Sequence, residues 1–211
     1  LEQLARQMSP EISPRRLLDR LHLSLARDHD LPAGHKVVKA LRYGAATALA
    51  PLYLAACDRV GPGARTRGRP IITNAGRLDL GARANLGSMF APVQLSTGPR
   101  GTLRIGDDAA INFGCSISAA QQVTLGDRVS LGPYVTIADT DSDATDGGPR
   151  PILIGNDVWL AARVRVRAGA VIGDGSVITA GSEVVGEIPA GVVAGGIPAR
   201  VLRRAGTDPG I

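Results

Sequence analysis

Residues 152–189 decide the fold of this chain and read ILIGNDVWLAARVRVRAGAVIGDGSVITAGSEVVGEIP. Every sixth residue in this stretch is a medium-sized aliphatic: Ile154, Leu160, Val166, Ile172, Ile178 and Val184. Four positions after each of these comes a mostly small or β-branched residue: Val158, Val164, Ala170, Ser176, Ser182 and Ile188. This period fits neither an α-helix nor simple strand alternation, and it is typical of a parallel β-helix whose stacked repeats share one core. The stretch therefore predicts an all-β, parallel β-helical fold.

The same spacing extends upstream with interruptions. Matching hexads begin at Ile105, Ile111 and Ile117 and resume, after a two-residue slip, at Leu125, Leu131 and Ile137. Residues 82–101 break the period and are predicted to form a loop or excursion. Residues 139–150 form a second interruption, which is acidic and rich in glycine. The hexads then return at Ile152 and end near Pro189.

The N-terminal part has a different pattern, which predicts helices. Four leucines share one helical face after the Ser13-Pro14 start signal: Leu17, Leu18, Leu21 and Leu25. A second helical run is predicted over about residues 35–59. The chain is thus divided into a helical segment (1–60), a β-helical domain (61–204) and a short tail (205–211).

Composition excludes several classes of protein. The net charge is +5, but the arginines are dispersed and lack the basic stripe and interleaved aromatics of a nucleic-acid-binding protein. No apolar run is long enough to predict a transmembrane segment. Cys57 and Cys115 form neither a disulfide framework nor a metal-type pair, which indicates a reducing, cytoplasmic setting.

Two motifs together resemble a known family. Residues 154–160 read IGNDVWL, and after a run of hexads residues 187–200 read EIPAGVVAGGIPAR. The pair is similar to the hexapeptide-repeat acyltransferases, most of all to their maltose/galactoside O-acetyltransferase branch. The resemblance implies a left-handed parallel β-helix and a homotrimer with active sites between neighbouring copies. It also implies transfer of an acyl group from a coenzyme A (CoA) thioester to a hydroxyl of a sugar or small biosynthetic metabolite.

The catalytic residues implied by the resemblance include one departure. The family pattern Ile-x-Asp-x-Asp-x-His reads Ile137 to Asp143 here, so Asp141 matches an aspartate and Asp143 stands in place of the histidine that serves as general base. Asn112 matches a family position that orients the acceptor, although an asparagine that only satisfies turn backbone fits equally well. We name Asp143, Asp141 and Asn112 as catalytic candidates.

The missing histidine leaves three readings open. An unperturbed aspartate has a pKa of about 3.9, against about 6.5 for histidine, so Asp143 is a weak base unless its surroundings raise its pKa. Acyl transfer can persist with Asp143, an N-terminal histidine or the substrate itself as base. Alternatively, the cleft serves another reaction on a thioester or small molecule, or the chain is a non-catalytic trimeric scaffold.

The donor-binding residues also follow from the resemblance. Ala162 and Ala180 match positions whose backbone lines the pantetheine arm of acyl-CoA, and Arg200 and Arg203 match basic positions that meet its phosphates. Trp159 is interpreted as packing over the coil. No metal site is predicted, because the acidic loop matches only half of a calcium loop and the coils offer no histidine for zinc.

Overall fold

The computed structural model describes residues 49–141 and 148–206. Residues 49–53 are helical, and the earlier part of the predicted helical segment lies outside the described residues. Asp143 also lies outside them. The division of the chain at residue 60 therefore stays a prediction.

The described residues after the helical turn form 21 short strands. In chain order they are β1 (Arg59–Val60), β2 (Arg65–Gly68), β3 (Ile71–Asn74), β4 (Arg77–Leu80), β5 (Asn85–Ser88), β6 (Gln94–Thr97), β7 (Thr102–Ile105), β8 (Ala110–Ile111), β9 (Ser116–Ala119), β10 (Gln122–Leu125), β11 (Ser130–Leu131), β12 (Thr136–Ala138), β13 (Ile152–Ile154), β14 (Trp159–Leu160), β15 (Arg165–Val166), β16 (Val171–Ile172), β17 (Val177–Ile178), β18 (Glu183–Val184), β19 (Glu187–Ile188), β20 (Val192–Gly196) and β21 (Ala199–Arg204).

Every third strand joins the same sheet, so the chain winds into a three-sided prism. The first sheet has the order β1-β4-β7-β10-β13-β16-β19, the third β3-β6-β9-β12-β15-β18, and the second β2-β5-β8-β11-β14-β17-β20-β21. All pairings are parallel except the last, in which β21 runs antiparallel to β20. The fold is the predicted all-β, left-handed parallel β-helix, with about six turns.

The hexad residues form the core of the prism. The six aliphatics from Ile154 to Val184, and the six residues four positions after them, are all at most 3% exposed. Each aliphatic pairs in register with its counterpart in the next coil, as Ile154 does with Ile172. Burying an aliphatic side chain of this size contributes about 1.5–3 kcal/mol, so the stacked column stabilises what one coil could not bury alone.

The predicted excursion at residues 82–101 is wrong. This segment contains β5 and β6, whose Leu86 and Leu95 are at most 1% exposed. The period is lost because extra residues enter at two corners, and Leu80 accordingly pairs with Ile105, 25 residues later. Insertions at corners lengthen a coil without removing its strands.

Candidate functional site

Asn112 lies where the chain turns from the second sheet to the third. Its backbone N–H donates to the Leu131 carbonyl at 3.1 Å, which ties it to the next coil. Its Oδ1 accepts a hydrogen bond from the Phe113 N–H at 2.9 Å, and the side chain is exposed. Because Oδ1 is already engaged, the two Nδ2 hydrogens are the donors that Asn112 offers to a ligand.

The corner of Asn112 continues through the following coils as one edge of the prism. Backbone hydrogen bonds join Gly132 to Leu160, Ala161 to Ile178 and Thr179 to Ala194. Ala162 and Ala180 occupy adjacent coils on this edge, and the Ala162 carbonyl accepts from the Gly181 N–H at 2.9 Å. We call this line, from Asn112 through Ala162 to Ala180, the Asn112 edge. The structure therefore brings Asn112, Ala162 and Ala180 onto one edge.

Three aromatic rings stack along the start of the same edge. Phe113 packs edge-to-face against Phe90, with ring centroids 5.3 Å apart, and against Tyr134 at 5.5 Å. Phe90 is 81% exposed and Tyr134 is 48% exposed. Sequence reasoning missed this cluster because the three rings come from turns of three different coils, and no periodic signal joins them.

A groove runs over the second sheet beside the Asn112 edge. It spans from β2 to β14, and the residues lining it are Arg67, Asn85, Gly87, Ala110, Ile111, Asn112, Ser130, Leu131, Gly132 and Trp159. The interpretation of Trp159 as packing over the coil is wrong, since its side chain is 52% exposed at one end of the groove. Arg67, at the other end, was not identified from the sequence.

Asp141 lies at a different edge, where the chain leaves the third sheet. Its carboxylate accepts hydrogen bonds from Nε of Arg167 at 2.7 Å and from Nη2 of Arg150 at 2.8 Å, and it is 11% exposed. Burial by itself would raise the pKa of Asp141. Hydrogen bonds from Arg167, the Ala168 N–H and Arg150, with the charge of Arg167, outweigh burial and hold that pKa below its usual range.

Asp141 and Asn112 do not meet within one chain. Asn112 precedes the third-sheet strand of its coil, whereas Asp141 follows the third-sheet strand β12. A strand and its flanking turns separate the two edges by about five residues, or roughly 16 Å at about 3.3 Å per residue. A site that uses both residues therefore needs an edge from each of two copies.

Asp139 supports the turn from β9 to β10. It is 0% exposed, and its carboxylate accepts backbone N–H groups of Ala120, Gln121 and Gln122 at 2.7–2.8 Å. Asp139 follows buried Ile137 by two residues, so strand alternation is the signal that could have predicted its inward position.

Arg200 and Arg203 lie on β21, beyond the C-terminal end of the Asn112 edge. Both are exposed, and each donates to a neighbouring backbone carbonyl, Arg200 to Ala199 at 3.1 Å and Arg203 to Arg204 at 3.3 Å. Their place in the hairpin puts two cations beyond Ala180, at the end of the prism opposite Arg67.

Two other classes of site find no support among residues 49–141 and 148–206. No group of three or more histidine, cysteine, aspartate or glutamate side chains there is arranged to hold a metal ion. Burial raises the pKa of the Cys57 and Cys115 thiols to about 11, with Asp58 adding to the effect at Cys57. Neither thiol is therefore an activated nucleophile. Within the same residues, no helix has the length and apolar character needed to cross a membrane.

The contacts of Asp141 predict a pH dependence of stability. Its pKa is lower in the folded chain than in the unfolded chain, so its contribution is complete above about pH 5 and is lost as pH falls through about 3.9 and below. We expect the free energy of unfolding, measured by urea titration, to fall between pH 5 and pH 3. Asp141→Asn should reduce that fall, and an unchanged pH profile in this variant would contradict the assignment.

Comparisons with known proteins agree with this architecture. Residues 151–186 match the family model for bacterial transferase hexapeptide repeats. Galactoside O-acetyltransferase of Escherichia coli is 40% identical over 119 residues, which cover 53% of this chain and 58% of the relative. A putative lipopolysaccharide biosynthesis O-acetyl transferase of E. coli, WbbJ, is 28% identical over 149 residues, which cover 63% of this chain and 74% of the relative. The chain thus spans little more than half of the galactoside enzyme.

Solved structures show the same fold. A hexapeptide-repeat acetyltransferase from Vibrio cholerae superposes with a TM-score of 0.53 at 23% identity, covering 90% of this chain and 89% of that one. A variant of AntD, an N-acyltransferase from Bacillus cereus solved with dTDP and CoA, gives a TM-score of 0.60 at 16% identity, covering 73% and 87%. The resemblance to the hexapeptide-repeat acyltransferases is confirmed.

Proposed function

We propose that this chain, whose hexapeptide repeats and fold are those of the acetyltransferases just described, transfers an acyl group from CoA to a hydroxyl of a sugar or small metabolite. The observation that carries the proposal is the Asn112 edge, where the acceptor candidate Asn112 and the donor candidates Ala162 and Ala180 share one line. The relatives support the reaction class, since galactoside O-acetyltransferase and WbbJ are both named as O-acetyl transferases.

The donor would lie lengthwise along this edge. Ala162 and Ala180 have small side chains, so an extended pantetheine arm can approach their backbone. Arg200 and Arg203, beyond Ala180, would contact the CoA phosphates through charge-assisted hydrogen bonds. This orientation directs the thioester towards Asn112 and leaves the groove over the second sheet to the acceptor.

The reaction would be a direct transfer. The acceptor oxygen attacks the thioester carbonyl carbon, Asp143 takes the hydroxyl proton, and the carbon–sulfur bond then breaks to release the CoA thiolate, which is protonated. Donors aimed at the developing oxyanion stabilise this step, and Asn112 Nδ2–H is one such donor. Asp141 is held ionised by two arginines, so its proposed role is to position its edge of the site rather than to move a proton.

The proposal includes a homotrimer. Because Asn112 and Asp141 lie on different edges of one prism, a complete site needs the Asn112 edge of one copy beside the Asp141 edge of the next. A closed threefold ring places each such pair of edges together three times and leaves no site incomplete.

Ligand binding gives the first test of the proposal. Acetyl-CoA and CoA at about a hundred times their dissociation constants should stabilise the fold by roughly 2.7 kcal/mol, which is measured as a rise in melting temperature. Ala180→Trp should abolish that rise, because the indole fills the path of the pantetheine arm. Ala190→Trp is the matched control, since Ala190 is also exposed but lies between β19 and β20, at another corner.

The outcomes separate the three readings of the sequence. Binding followed by acyl transfer supports the proposal, and turnover retained in Asp143→Asn would exclude Asp143 as the base. Binding without transfer to any acceptor would favour another reaction in the same cleft. Absence of binding at millimolar ligand would reject the donor site and favour a non-catalytic scaffold.

A further inference from the structure

Gly87 is a glycine that the fold itself does not require. Its backbone is not among those with positive φ, so it does not need the conformational freedom of glycine. A Cβ added at Gly87 would meet the Ile111 carbonyl oxygen at 3.4 Å and Asn112 Oδ1 at 3.7 Å, which are ordinary contacts. Gly132, on the other side of Asn112, differs, since its added Cβ would come within 2.7 Å of the Ala162 backbone nitrogen. Gly132 is needed for packing, whereas Gly87 leaves space in the groove.

That space separates Asn112 from a cation. Gly87 pairs in register with Arg67 on one side and lies against Asn112 on the other, so the three residues form one row across the second sheet. Two strand spacings of about 4.8 Å put the Arg67 and Asn112 backbones roughly 10 Å apart. The gap over Gly87 is therefore wide enough for a ring between the two side chains.

The charge of this end of the groove is positive. Arg65 lies two residues before Arg67 on β2, on the same side of the strand, and pairs in register with Asn85. No acidic side chain is among the described residues that line the groove. Asn85 also lines it, and its Oδ1 is buried with no hydrogen-bond partner among the described residues. A buried unpaired acceptor calls for an explanation, and a bound hydroxyl supplies one.

We propose that the acceptor is an anionic sugar, whose phosphate or carboxylate is bound by Arg67 while its ring lies over Gly87 and its reacting hydroxyl reaches Asn112. The inference rests on the proposed function, because it assigns the substrate class of the same site. A guanidinium suits both anions, since its N–H groups pair with two oxygens at once. Gly87 then determines specificity by leaving room for the ring.

The test is acetyl transfer from acetyl-CoA to three probes: methyl galactoside, galacturonic acid and galactose 1-phosphate. We expect the wild type to prefer an anionic probe. Arg67→Gln should lower kcat/KM for that probe by about 10- to 100-fold, mainly through KM, and leave methyl galactoside within about twofold. Arg67→Lys, which keeps the charge, should restore part of the loss. Arg104→Gln is the matched control, because Arg104 is exposed on the first sheet.

Gly87→Ala tests the space independently of charge. Its methyl group would stand 3.7 Å from Asn112 Oδ1, so kcat/KM should fall at least tenfold for every probe while CoA binding and melting temperature stay unchanged. Gly98→Ala makes the same change where the added Cβ also meets only ordinary contacts, the nearest at 3.5 Å, but it lies between β6 and β7. That variant should behave as the wild type.

The outcomes distinguish the two proposals. A loss confined to galactose 1-phosphate assigns a phosphate, and one confined to galacturonic acid assigns a carboxylate. Equal losses for all probes in Arg67→Gln, or a preference for methyl galactoside, would overturn the anionic acceptor while leaving acyl transfer intact. If no probe is acetylated, calorimetric titration with galactose 1-phosphate and galacturonic acid still decides. Binding of either that Arg67→Gln weakens supports the anion site without the transferase, and binding of neither overturns the inference.

Discussion

Asp139→Ala is expected to lower the free energy of unfolding by about 4 kcal/mol or more. The buried carboxylate accepts three backbone N–H groups at 2.7–2.8 Å, and its removal leaves all three without this acceptor. Hydrogen bonds to charged groups contribute about 1.5–3 kcal/mol each, and unpaired buried donors add a desolvation penalty. Since small domains are stable by only about 5–15 kcal/mol, we expect partial or complete unfolding at ambient temperature.

Urea titration of three variants measures this effect. Asp139→Asn keeps one acceptor oxygen and should lose less than Asp139→Ala. Asp174→Ala is the matched control, because Asp174 also accepts a backbone N–H, from Asn156 at 2.7 Å, but is exposed to solvent. Water can replace the exposed carboxylate, so this control should lose about 1 kcal/mol. Equal losses at Asp139 and Asp174 would show that burial is not the cause.

The second large effect is expected on catalysis, at Asn112. Asn112→Ala should reduce kcat about 100-fold or more, because it removes a donor at the proposed oxyanion or acceptor position, and this factor corresponds to about 2.7 kcal/mol. The acetyl-CoA-induced rise in melting temperature should persist, since Ala162 and Ala180 are unaffected. Steady-state kinetics with the best acceptor, together with thermal unfolding, measure both effects.

Asn112→Asp separates chemistry from structure. Aspartate keeps an oxygen that can accept the Phe113 N–H, which Asn112 Oδ1 now binds at 2.9 Å, but it lacks the Nδ2 donors. If donation to the substrate is the role, this variant should be as inactive as Asn112→Ala while its melting temperature matches the wild type. Full activity in Asn112→Asp would reduce Asn112 to a turn residue.

The sequence predicted the regular part of the fold because burial follows the hexads there. Ile154 and Ile172, 18 residues apart, are paired directly, so period and structure coincide. The coil from Leu80 to Ile105 has 25 residues, and the extra residues at its corners concealed Leu86 and Leu95 from the periodic pattern. Corner insertions cost little, because they lie outside the core and leave the strand register intact.

The candidate site was predicted in part for the same reason. Ala162 and Ala180 lie in regular coils, where spacing already implies a common edge. Arg67 and Asn112 share a row although 45 residues separate them in the chain, and no constant repeat relates the two. Alternation would have distinguished inward Asp139 from Asp141, whereas the arginine contacts of Asp141 needed the three-dimensional structure.

The antiparallel pairing of β21 with β20 has a consequence for self-association. A parallel solenoid ends in unpaired backbone groups, which can template the addition of another chain and lead to fibrous aggregation. In the second sheet, β21 covers that edge and leaves Val192, Val193 and Ala194 at most 9% exposed. Its own outer side carries Arg200, Arg203 and Arg204, and like charges on an edge strand disfavour end-to-end growth. The same hairpin that offers cations at the end of the prism thus protects the sheet against polymerisation.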